Sequence, residues 1–205
     1  MPQPWGELHR RDHVLVLGTP GTGKTPFAVA LVASARRVVY VDPPHELDAH
    51  GLVVEADDLA AHPELLEGTT LRLVVHPRRG ELVEDLEATI DACARSARWG
   101  GVVLLVDEVH LFSAYGEGQA ILRELHAAGH KYGIATVLCS PCWTDIPARC
   151  RATASRVYSF AQQRDDDIKT LNAELGRHVP SFGERTAAWR HPEPPVAWVS
   201  PTLHA

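Results

Sequence analysis

The octapeptide Gly18-Thr19-Pro20-Gly21-Thr22-Gly23-Lys24-Thr25 limits the possible folds of this chain more than any other feature. It fits the phosphate-binding pattern G-x-x-x-x-G-K-[ST] at every fixed position. The run before it, Val14-Leu15-Val16-Leu17, reads as a buried strand, and Phe27 to Ala35 after it reads as a helix. A strand feeding a helix through such a loop commits the chain to layered α/β architecture. Gly18, Gly21 and Gly23 are expected to take positive φ and let the backbone approach phosphates closely. Backbone N–H groups of Thr19 to Thr25 then converge on an anion at the positive end of the helix dipole. Lys24 would reach the β- and γ-phosphates, and the Thr25 hydroxyl would ligate Mg²⁺. Pro26 is tolerated because the first helical turn has no intrahelical use for its N–H. A nucleoside triphosphate with Mg²⁺ is therefore expected here, bound by Thr19, Pro20, Gly21, Thr22, Gly23, Lys24, Thr25 and Pro26.

A chain of 205 residues, 45% hydrophobic and 22% charged, holds one domain with a sizeable core. Its longest wholly apolar stretches, Ala28 to Ala33 and Val102 to Val106, are too short to span a bilayer. The start, Met1-Pro2-Gln3-Pro4-Trp5, is not followed by the apolar stretch of a signal peptide, so the cytoplasm is the expected location. A net charge of −6 argues against a broad basic face for nucleic acid. It argues less against a ring that touches DNA through a few pore residues. The 12 His are scattered, without H-E-x-x-H. Cys139-Ser140-Pro141-Cys142 is formally C-x-x-C but lacks a second pair, so reduced, packed thiols and no metal beyond Mg²⁺ are expected.

Apolar runs alternate with helical stretches, which predicts a parallel sheet flanked by helices. The expected strands are His13 to Leu17, Arg37 to Val41, Leu71 to His76, Val102 to Val106, Ile134 to Cys139 and Arg156 to Phe160. The expected helices are Phe27–Ala35, Leu82–Arg98, Gly118–Gly129 and Asp165 to Leu175. From His178 onward prolines break the pattern, and a short hairpin or strap (Ala187–Arg190 with Val196–Val199) is expected.

Val102-Val103-Leu104-Leu105-Val106-Asp107-Glu108 is a hydrophobic strand ending in two carboxylates, the Walker B pattern. Asp107 would hold Mg²⁺, and Glu108 would orient and deprotonate the attacking water. A carboxylate able to activate water favours hydrolysis over transfer between small molecules, where water must be excluded. Ser140, ending the next strand, is the candidate γ-phosphate sensor, and capping of the following turn is its alternative role.

Val39-Tyr40-Val41-Asp42-Pro43, Leu73-Val74-Val75-His76-Pro77 and Asp107-Glu108-Val109-His110-Leu111-Phe112 follow the P-loop in order. With Leu125 to Ile134 and Ser155 to Phe160 they make residues 12 to 176 resemble the FtsK–HerA superfamily of DNA-pumping ATPases. A compact member with a C-terminal extension of 178–205 is most similar to genome-packaging ATPases of membrane-containing icosahedral viruses. The resemblance implies a RecA-like P-loop NTPase core with the P-loop strand central, and an ATPase working as a hexameric ring. It implies double-stranded DNA as the track and a viral capsid or membrane-vertex protein as a docking partner. It also implies an arginine supplied in trans, for which Arg149 and Arg151 are the candidates. In the family a Gln follows the sensor-strand Ser or Thr, whereas here Pro141 follows Ser140.

Three other classes compete. The sequence Asp107-Glu108-Val109-His110 matches the DExH form of helicase motif II, but helicases of that type need two cores. An AAA-type protein-remodelling or loader ATPase normally carries a long helical lid after its core. A small P-loop kinase fits in size but lacks an Arg-rich lid segment here.

Overall fold

In the computed structural model the protein is described at residue 8, residues 11–175 and residues 196–199. Its centre is one sheet of order β3-β4-β2-β5-β6-β1-β7-β8. The strands are β1 (His13–Leu17), β2 (Arg37–Val41), β3 (Leu52–Glu55), β4 (Leu71–His76), β5 (Val102–Val106), β6 (Ile134–Ser140), β7 (Arg156–Ser159) and β8 (Val196–Val199). The seven strands from β3 to β7 pair parallel, and β8 runs antiparallel to β7. The principal helices are α1 (Lys24–Val32), α2 (Ala56–Ala61), α3 (Leu82–Arg95), α4 (His110–Ser113), α5 (Gly116–Ala128), α6 (Ala148–Thr153) and α7 (Asp165–Leu175).

The strand sequences explain the layering. β1, β2 and β5 are continuous apolar or near-apolar runs and are buried at every residue, as strands covered on both faces must be. Side-chain alternation then separates two cores. Leu15, Leu17, Val39, Val41, Leu104 and Val106 point to a face shared with Leu86 of α3 and Leu122 of α5. Val14, Val16, Val38, Tyr40, Val103 and Leu105 point to the opposite face, against Phe27, Ala28 and Leu31 of α1. Helices thus cover both faces of a RecA-like core, and the P-loop strand β1 lies inside the sheet between β6 and β7.

The expected strands β1, β2, β4 and β5 have the observed limits, while β6 runs one residue further, to Ser140, and β7 stops at Ser159. The third predicted helix begins at Gly116 and the first at Lys24, because Gly23 already turns the chain in the left-handed region (φ 92°) as the N-cap. The second helix is α only to Arg95 and tightens to 3₁₀ from Ser96 to Trp99. Edge strand β3 was not expected. Of the proposed C-terminal hairpin, Val196–Val199 is a strand, but it pairs with β7; Ala187–Arg190 lies outside the described residues.

Candidate active site

The site forms at the carboxyl ends of β1, β5 and β6, where ligands of parallel α/β sheets collect. The loop after β1 is fixed from two sides. Gly18 N–H donates to Ser140 O at 3.2 Å, and Thr19 N–H to Ala161 O at 3.2 Å. Inside the loop the Thr22 hydroxyl donates to Thr19 O at 2.7 Å. Gly21 (φ 79°) and Gly23 (φ 92°) occupy the left-handed region, as the motif requires. Gly18 is needed for a different reason from the one expected: its φ is not positive, but a Cβ there would lie 2.5 Å from Thr22 Oγ1 and 2.7 Å from Phe160 Cβ. Helix α1 has no side-chain cap and no acidic residue in its first turn. Its first N–H groups, which have no intrahelical acceptors, keep the dipole end suited to an anion. Pro26 falls in that turn, and the first i→i−4 bond, Phe27 N–H to Gly23 O at 3.1 Å, starts beyond it.

β5 delivers the two carboxylates next to the loop. Thr25 Oγ1 donates to Asp107 Oδ2 at 2.9 Å, so the hydroxyl and carboxylate oxygens expected to hold Mg²⁺ stand side by side. Both are hard oxygen donors, which suits that ion. Asp107 Oδ1 accepts the Glu108 N–H at 2.9 Å. Glu108 sits at φ 46°, uncommon for a residue with a side chain. Glu108 Oε1 pairs with Lys24 Nζ. Its Oε2 lies 3.1 Å from His110 Nδ1, an ion-pair distance without hydrogen-bond alignment. Burial pushes the Asp107 carboxyl above its ordinary range, against the pull of Lys24 and Thr25. Burial pushes Glu108 upward as well, but His110 and Lys24 outweigh it and leave that carboxyl below its usual value. Glu108 is therefore a carboxylate near neutral pH.

Ser140 ends β6, the strand between β1 and β5, and is fully buried. Its Oγ donates to Cys142 O at 3.0 Å, so the hydroxyl is engaged in the turn that Pro141 opens. Gln162, unremarked in the sequence, is also buried here. With its amide turned to satisfy both ends, Nε2 donates to Pro141 O at 3.0 Å and Oε1 accepts the Gly18 N–H at 3.3 Å. It thus ties the start of the P-loop to the tip of β6. A Gln-Gln pair just after the last core strand gives no sequence signal for this, nor does His110 for its contact with Glu108.

Arg149 and Arg151 lie on α6, outside this cluster. Arg149 is exposed, whereas the Arg151 guanidinium lies 5.4 Å from the ring centre of Trp143, which is 1% exposed. The four thiols are free. Burial pushes Cys142 up to about 11 and Cys139 well above its ordinary value, so the C-x-x-C pair stays protonated at neutral pH.

Residues 8–141 match the family model described as "AAA domain". The chain belongs to the AAA domain family. Membership makes it a P-loop ATPase, with the nucleotide loop and the Walker B strand both inside the matched segment. A comparison with curated proteins finds no match. Among solved structures, the fold is similar to B204, the DNA-packaging ATPase from Sulfolobus turreted icosahedral virus. That match has TM-score 0.64 and 20% identity, covering 81% of this chain and 83% of that one. The genome-packaging NTPase B204 of Sulfolobus turreted icosahedral virus 2 with ATP-gammaS gives TM-score 0.65 at 14% identity, over 85% and 91% of the two chains. VirB4 of Thermoanaerobacter pseudethanolicus gives 0.60 at 12% identity, over 80% and 81%. The AAA domain protein therefore shares its fold with the packaging ATPases that its sequence resembles. Among the described residues no helix is long and apolar enough to cross a membrane.

Proposed function

We propose that this AAA domain protein is an ATP-driven motor that moves double-stranded DNA, packaging a viral genome into a preformed capsid. The observation that carries this proposal is the near end-to-end fold match with a DNA-packaging ATPase of similar length. It is supported by the Walker B carboxylate pair, which suits water attack rather than transfer to a small acceptor.

The residues divide the chemistry as follows. The P-loop N–H groups and Lys24 hold the phosphates. Thr25 and Asp107 hold Mg²⁺, which when bound neutralises charge on the phosphate oxygens. Glu108 orients the attacking water and accepts its proton. The nucleotide phosphates compete with Glu108 for Lys24, and the loss of that partner leaves the glutamate facing water. Ser140 reports γ-phosphate occupancy from the tip of β6. Because Ser140 is tied to Cys142 and Gln162 bridges Pro141 to Gly18, movement of the P-loop is transmitted to β6 without the absent Gln.

Exposed Arg149 is better placed than Arg151 to act in a neighbouring site, because Arg151 already covers Trp143. A subunit that borrows an arginine works only in an assembly, and a ring, hexameric in this proposal, threads DNA through its centre. A capsid or membrane-vertex protein would dock it, in the cytoplasm of the host. Mixing Lys24→Ala subunits, which retain Arg149, with Arg149→Ala subunits tests this arrangement. Restored hydrolysis is expected, and two inactive variants that stay inactive when mixed would count against a shared site.

A further inference from the structure

A second cluster of chemistry-bearing side chains lies one strand away, at the carboxyl ends of β2 and β4. Asp42 follows β2, His76 ends β4, and Asp48 lies in the loop between β2 and β3. Each offers one ligand atom, and the three lie within 4.8 Å of one another. His76 Nε2 is 2.7 Å from Asp48 Oδ1 and 4.0 Å from Asp42 Oδ2. A tetrahedral site with bonds of about 2.0–2.1 Å has an edge of about 3.3 Å, so an ion would replace the His76–Asp48 hydrogen bond and draw Asp42 closer.

Asp42 supplies the second observation. Its side chain is wholly buried, and Oδ2 is held by the Leu47 N–H at 2.7 Å. The other oxygen, Oδ1, is buried without any hydrogen-bond partner. A buried carboxylate oxygen in that condition is costly unless a cation or donor meets it. The His76 ring is set in place by His45, stacked on it with centres 3.8 Å apart and planes 8° from parallel. Asp48 is largely exposed, which gives an ion a route in.

We propose that Asp42, Asp48 and His76 form a zinc site, with water completing the coordination. One imidazole nitrogen among the ligands selects transition ions over Mg²⁺, which prefers six oxygens. The ion would pin the 43–50 loop to β4 beside the Walker B strand, since Asp107 N–H donates to Val41 O at 3.0 Å. The site does not depend on the DNA-motor proposal.

Calorimetric titration of the chelator-stripped full chain with Zn²⁺, in millimolar Mg²⁺, tests it. One equivalent is expected to bind and to raise the melting temperature. Asp48→Asn and His76→Gln, both reachable from solvent, are expected to weaken binding at least about tenfold and to abolish the melting shift. Thr25→Ala, which alters the nucleotide site, is expected to bind Zn²⁺ as the unmodified protein does. Absence of binding, or binding that persists in both ligand variants, would overturn the proposal.

Discussion

Glu108 shows how much one residue carries in this site. Its carboxylate is shared between Lys24 and His110, and its backbone stands in the left-handed region. Glu108→Gln keeps the shape and removes the base. We expect kcat to fall by about 10²–10⁴ with nucleotide affinity kept, measured by turnover and by equilibrium binding. Gly18 teaches a different lesson. The motif says that a glycine belongs there, but only the fold gives the reason, which is space against Thr22 and Phe160. Gly18→Ala is expected to destabilise the chain by about 1–3 kcal/mol, read as a lowered urea midpoint. The two arginines separate similarly. Arg151→Ala loses its place over Trp143 and about 0.5–2 kcal/mol of stability. Arg149→Ala should leave stability unchanged and cut hydrolysis about a thousandfold or more. No spacing in the sequence distinguishes them, because Trp143 meets Arg151 only through the turn between β6 and α6.

At the scale of elements, buried strands were the most legible part, since β1, β2 and β5 are written as continuous apolar runs. Edge strand β3 was not, because it has only four residues and exposes three of them, including Leu52 and Val53. The order of the strands is a product of tertiary pairing, and it puts Ser140 between the P-loop and Walker B strands. The proposed zinc ligands were hidden for the same reason: His76 is 28 residues from Asp48 in sequence and meets the two aspartates only because β2 pairs with β4. The amino end of β1, inside the sheet, holds a polar network that sequence also conceals. His13 Nδ1 and Thr136 Oγ1 are 2.9 Å apart, Thr136 Oγ1 and His126 Nε2 are 3.2 Å apart, and the two imidazoles stack at 4.6 Å. Burial lowers His13 to about 4 and His126 to about 3. Their folded values lie below the unfolded value of about 6.5, so the unfolded chain binds more protons as pH falls. Stability is therefore lost on acidification from about pH 6.5 toward pH 4. The two together should cost about 2–3 kcal/mol between pH 7.5 and pH 5.5. Urea unfolding across that range checks the slope, which His126→Gln is expected to reduce.

For the whole molecule, a chain with net charge −6 is proposed to move a polyanion, so contact must come from a few local cations in an assembly rather than from a basic face. Lys131, before β6, and the adjacent Arg78 and Arg79 are basic residues that a pore could use. The structure engages Arg78 elsewhere, in ion pairs with Asp57, Glu81 and Asp85. Oligomer and track are thus the joint claim on which the motor proposal stands. Steady-state ATP hydrolysis against protein concentration, with and without linear double-stranded DNA, tests it most directly. A rate per subunit that climbs steeply with concentration and rises further with DNA is the predicted result. A rate per subunit that is constant and indifferent to DNA would contradict it.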